Sequence, residues 1–98
     1  LDETGITINS GAMGDKPSRH DILTGSQLDG TAFAAGKDMT CSNFTRNGEG
    51  SAMLGHSDRF RRSTPGSPWN TAHPSRGCSQ EHLEATAAAG RFYCFAID

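Results

Sequence analysis

Valine is missing from this 98-residue chain, and tryptophan and tyrosine occur once each. Leu, Ile and Phe together make only 14 residues, and 12 Gly and 4 Pro interrupt what remains. That apolar share lies under the roughly 20% expected of chains that pack a core unaided. A lone domain of this length also buries only about two-thirds of its unfolded surface. The net charge of −2 is too small to hold the chain open by self-repulsion, so disorder is not the reading either. What remains is a thin-cored domain that needs help from a disulfide, a bound ion or a second polypeptide.

Other absences exclude whole classes of function. No stretch approaches the about 20 apolar residues of a membrane span. With a pI near 6.0 and scattered charges there is no basic stripe for nucleic acid. The one basic cluster, Arg59-Phe60-Arg61-Arg62, sits among Ser, Pro and Gly and reads as a solvated loop. Leu1 stands where an initiator Met would, with no signal peptide, and a processed product is the expectation. Cysteine is scarce and odd in number: Cys41, Cys78 and Cys94. In a chain that reads as extracellular, an odd count means that one thiol has its partner elsewhere.

Local pattern predicts loops pinned by short strands. Ile6-Thr7-Ile8 alternates like a strand before an Asn9-Ser10-Gly11 turn, and Asp21-Ile22-Leu23-Thr24-Gly25 reads as a brief buried piece. An Asp29-Gly30 turn precedes a small apolar cluster at Ala32 and Phe33. Cys41-Ser42-Asn43-Phe44-Thr45 and Ser51-Ala52-Met53-Leu54-Gly55-His56 read as two strands around an Asn47-Gly48 turn, with Phe44, Met53 and Leu54 as core residues. The loop at 60–68 should be exposed. One helix is expected, with Ser79 as N-cap, Gly90 as stop, and Leu83 and Ala87 on its inward face. Phe92-Tyr93-Cys94-Phe95-Ala96-Ile97 then reads as a largely buried final strand.

The polar chemistry is diffuse. His20, His56, His73 and His82 match no zinc signature, and a structural or solvent role is expected for them. Ser57, His73 and Asp58 lack a Gly-x-Ser-x-Gly elbow, so hydrolase chemistry is not expected. Cys94 lies between Tyr93 and Phe95, where desolvation disfavours a thiolate, and structural pairing is its expected role. No cofactor and no metal are expected.

Several short stretches, taken in order, resemble the C-terminal half of secreted bacterial proteins with a C-type-lectin-like, endostatin-like domain. They are His20-Asp21-Ile22-Leu23-Thr24-Gly25-Ser26, Asp29-Gly30-Thr31-Ala32-Phe33, Cys41-Ser42-Asn43-Phe44-Thr45, Gly55-His56-Ser57-Asp58-Arg59, the run at 69–80, and Phe92-Tyr93-Cys94-Phe95. Together they cover most of positions 19–96. The resemblance implies an α+β domain of short antiparallel strands, long loops and one short helix, stabilised by two nested disulfides and only partly contained in residues 1–98. In that scheme Cys41 pairs with Cys78, a bridge worth on the order of 3 to 4 kcal/mol in the chain-entropy model. Cys94 pairs with a cysteine on an N-terminal fragment or partner chain.

Trp69-Asn70 is similar to the Trp-Asn-Asp signature of calcium-dependent lectins, but Thr71 stands where the Asp should be and removes an anionic calcium ligand. Trp69 is therefore expected in the core rather than as a sugar-stacking platform. The function that follows is a non-enzymatic binding module, secreted or periplasmic, recognising a glycan or a protein. Its expected contact residues are His56, Asp58, Arg59, Asn70, His73 and Arg76. The alternative is a structural subunit of a larger extracellular or membrane-attached assembly.

Overall fold

The computed structural model describes residues 1–59 and 68–98. The loop expected at 60–68 and the basic cluster beyond Arg59 therefore fall almost wholly outside the described residues. The chain is a small α+β unit with one four-stranded mixed sheet, ordered β3-β2-β1-β4. β1 is Asp21–Leu23, β2 Met53–His56, β3 His73–Pro74 and β4 Ala88–Phe92. Two short helical segments, α1 (Cys41–Phe44) and α2 (Gln80–Glu84), and a 3-10 turn at Gly11–Met13 complete the regular structure of the described residues.

β1 and β2 are antiparallel and place Asp21 opposite His56, Ile22 opposite Gly55 and Leu23 opposite Leu54. β3 adds to the far side of β2, with His73 opposite Leu54. β4 runs parallel to β1, where Asp21 meets Ala88 and Leu23 meets Phe92. Three residues of β1 are thus spanned by five of β4, and Gly90, at φ 71°, supplies the left-handed conformation that the bulge needs.

The core is small. Leu23, Ala52, Leu54, Leu83 and Ala88 pack around Cys41 and Cys78, which form the disulfide, with Cα atoms 5.7 Å apart and a sequence separation of 37. The bridge joins the first residue of α1 to the residue before the N-cap of α2. At that cap the Ser79 hydroxyl accepts the His82 N–H at 3.2 Å, as the sequence predicts.

Elsewhere local pattern gives way to tertiary demands. Cys41 to Phe44 do not form a strand: all four have φ between 51° and 59° and make one left-handed turn. Such a turn costs roughly 1–2 kcal/mol per non-glycine residue, so fixed partners must hold it. The Cys41 N–H bonds Ser51 O, Thr40 Oγ1 accepts from Asn43 N, and the Asp38 carboxylate accepts from Thr40 N and Ser42 N. These bonds hold the Asp38 carboxyl below its ordinary range. Met53 and Leu54 are buried as expected, whereas Phe44 is exposed and meets Phe92 edge to face. Ile6-Thr7-Ile8 forms no strand either, because the Asp2 carboxylate gathers the Thr4 and Ile6 N–H groups into a turn. The Asp29-Gly30 turn is present, with Gly30 N–H on Gln27 O, but Leu28 beside it is exposed.

The C-terminal region is corrected most. α2 ends at Glu84 rather than near Gly90, because Ala88 to Phe92 are taken up by pairing with β1. Ala87, at φ 66°, makes the turn between them instead of an inward helical contact. β1 is too short to pair beyond Phe92, so the final residues are not a buried strand: Phe95 is 72% exposed and Ile97 95%.

One close approach fixes the segment after the undescribed residues. A Cβ on Gly55 would lie 1.8 Å from the Trp69 carbonyl oxygen. Gly55→Ala is expected to destabilise the oxidised protein by about 3 kcal/mol, the upper range for overpacking, as read by urea unfolding. An unchanged midpoint would show that the 69–70 backbone does not lie across β2.

Candidate functional site

Directly opposed residues of an antiparallel pair share a face, and so do residues two apart on a strand. The register therefore sets Asp21, Leu23, Leu54, His56 and His73 on one face of the sheet. Half of that face is apolar and continues into the core beneath α2. The other half is polar, and Asp21 is its centre, 0% exposed on the middle strand pair.

Three imidazoles face the Asp21 carboxylate. His56 Nε2 lies 3.0 Å from Oδ1, His20 Nε2 3.3 Å from Oδ1, and His73 Nε2 3.3 Å from Oδ2. None is aligned as a hydrogen bond, so both carboxylate oxygens and His56 Nε2 are buried without a hydrogen-bond partner among the described residues. The His20 and His56 rings stack at 4.2 Å, and His73 meets His56 edge to face at 5.2 Å. Arg59 places its guanidinium against His56 Nδ1. Guanidinium offers only donors, so Nδ1 is the acceptor and the ring proton sits on Nε2.

Asp58 anchors this group from behind. Its Oδ2 accepts from Ser10 Oγ at 2.8 Å and Ala12 N at 3.2 Å, and lies 2.8 Å from His20 Nδ1. Burial alone would raise the Asp58 carboxyl, but the bonds from His20, Ser10 and Ala12, with the charge of His20, hold it down at about 2. Two sets of side chains could each hold a metal ion: His20, His56 and Asp58, or Asp21, His56 and His73, with ligand atoms within 4.8 Å of one another. In the first set Asp58 Oδ2 is already engaged.

Of the six expected contact residues, His56, Asp58, Arg59 and His73 belong to this one cluster. Asn70 does not: it is buried, and its Nδ2 donates to the Gln27 and Leu28 carbonyls at 3.0 and 3.2 Å. Thr71 Oγ1 likewise bonds Ser26 O. Arg76 is exposed, with no side-chain partner among the described residues. Ser57, His73 and Asp58 do not assemble as a triad, since Asp58 engages His20 and His73 faces Asp21. His20 and Asp21 lie outside the expected contact set. The usable signal was Asp21 itself, a carboxylate inside a strand that reads as buried and must therefore face partners.

A second surface lies at the end of β4. Trp69 is not core but 53% exposed, with Tyr93 and Phe95 ring centroids at 5.4 and 6.2 Å. Tyr93 donates its hydroxyl to the Trp69 carbonyl at 2.9 Å, and Cys94 between them is free and exposed. A groove of about 840 Å³ runs from Leu1, Asp2 and Ile8 along Gly90 to Cys94. No helix among the described residues is long and apolar enough to cross a membrane. No protein family, curated protein or solved structure matches the chain.

Burial, with repulsion from Asp58, pushes the Tyr93 phenol up to about 12. The folded state therefore favours the neutral phenol: this contribution to stability is whole below the ordinary value of 10.0 and is lost as pH rises through about 12. Tyr93 is the only tyrosine, so phenolate absorbance reports it alone. The expected titration midpoint is near 12, and one near 10 would show that the phenol stands free in water.

Proposed function

We propose that this chain is a non-enzymatic, extracytoplasmic binding module on a C-type-lectin-like frame, recognising a glycan or a protein. The observation that carries this reading is the aromatic group of exposed Trp69 and Phe95 with half-buried Tyr93 between them. Aromatic rings cost water to keep exposed, and a contiguous set of them on a thin-cored domain marks a surface meant for contact. Flat rings suit the C–H faces of sugars and the anchor pockets of protein partners alike. The disulfide supports an oxidising location. Calcium plays no part in this reading, because Thr71 stands where the acidic ligand would and its hydroxyl is bonded to the Ser26 carbonyl.

One feature favours the second reading, a structural subunit completed by another polypeptide: Cys94 stands free and exposed inside the same aromatic group. There a partner supplying a cysteine would bury the rings and close the odd thiol count together.

A glycan array probed with the oxidised protein, with and without calcium, tests the first reading. Binding that is independent of calcium and at least tenfold weaker in Trp69→Ala is the expected result, since interface aromatics carry such losses. Failure to bind any glycan removes the lectin version. Intact mass before and after reduction tests the second reading: release of a polypeptide linked through Cys94 supports it, and a folded, soluble monomer after reduction overturns it.

A further inference from the structure

We propose that Asp21, His56 and His73 form a site for a divalent first-row transition-metal ion, with zinc the type case. This goes beyond the aromatic surface and is independent of it. The Asp21 carboxylate is wholly buried, and neither oxygen has an aligned hydrogen bond among the described residues. A buried charge left in that state is costly unless a counter-charge meets it.

The separations allow a metal, and the unaligned N–H directions disfavour direct hydrogen bonds. Bonds of about 2.0–2.2 Å to a tetrahedral zinc set neighbouring ligand atoms about 3.3 Å apart. His56 Nε2 and His73 Nε2 lie 3.0 and 3.3 Å from the two Asp21 oxygens. All three ligand atoms fall within 4.8 Å of one another. Two imidazoles and one carboxylate are the donors of zinc, copper or nickel sites, whereas calcium and magnesium require oxygens throughout. Three strands of one sheet hold these side chains, so the site is built on rigid elements. The His73 side chain is 39% exposed and leaves the fourth position open to solvent on that side.

His20 is a positioning residue rather than a fourth ligand. Its ring stacks on His56 at 15°, and its Nδ1 is already engaged with Asp58. Asp58 fixes it through Nδ1, and its Nε2 then faces Asp21 Oδ1. Arg59 is the competitor. Ligation through His56 Nε2 needs the lone pair there, so the ring's one proton passes to Nδ1 and the Arg59 guanidinium withdraws from it. Glutamine at position 59 would remove that cation and offer a carbonyl to the Nδ1–H.

The test is titration of the oxidised, chelator-treated full chain with Zn²⁺ alone by calorimetry, and with Co²⁺ by absorption. One equivalent of Zn²⁺ and the intense visible bands of tetrahedral Co²⁺ are expected. His73→Ala, at a half-exposed position outside the apolar core, should weaken Zn²⁺ binding at least tenfold at a temperature where the metal-free variant is folded. Arg59→Gln should tighten binding by about tenfold, while Trp69→Ala and His82→Ala should leave it unchanged. No binding, octahedral Co²⁺ bands, affinity indifferent to His73→Ala, or affinity lost in His82→Ala would each overturn the site.

Discussion

The Cys41–Cys78 bridge lies inside the core rather than beside it. Both sulfurs are buried among Leu23, Ala52, Leu54, Leu83 and Ala88, so the disulfide is itself part of the apolar packing. In a chain this poor in large aliphatic residues, few side chains remain to hold β2, α1 and α2 together by burial alone. The bridge lowers the entropy of the unfolded chain, by on the order of 3 to 4 kcal/mol for a loop of this length, and fixes the left-handed turn of α1 against the cap of α2. The positions of β1 and β2, and hence of everything mounted on them, follow from that anchorage.

The sheet face so anchored serves two ends. Leu23 and Leu54 face the bridge, and two residue pairs along, Asp21 and His56 turn the same face polar. A core that small cannot tolerate a lone carboxylate, and the structure answers by surrounding Asp21 with imidazoles from three separate segments. Asp58 extends the arrangement to the N-terminal region by gathering Ser10, Ala12 and His20. The polar half is therefore also a tie between segments that apolar contacts leave loosely joined.

How much of this could be read from the chain differs by element. β1, the Met53 and Leu54 core positions and the Ser79 cap were legible, because each depends on local apolar pattern or on a short-range side-chain bond. The thin core and its need for a covalent aid were legible from composition. α1 was not, since a left-handed turn of Cys, Ser, Asn and Phe contradicts local preference and exists only through Asp38, Thr40 and the bridge. Burial of the C-terminal aromatics was misread because apolar character shows an appetite for contact but not where the contact is. The grouping of the histidines was not legible for a related reason: His20, His56 and His73 have no sequence spacing in common, and only strand register makes them neighbours.

Both margins of the sheet resist further strand addition. β3 is two residues long and ends in Pro74, which has no N–H to offer, and β4 bulges at Gly90 so that its outward backbone groups do not form a regular ladder. A domain with exposed aromatic residues would ordinarily risk stacking edge to edge into fibrils. Here any association must proceed through side chains, which can be selective, and not through backbone pairing, which accepts almost any strand.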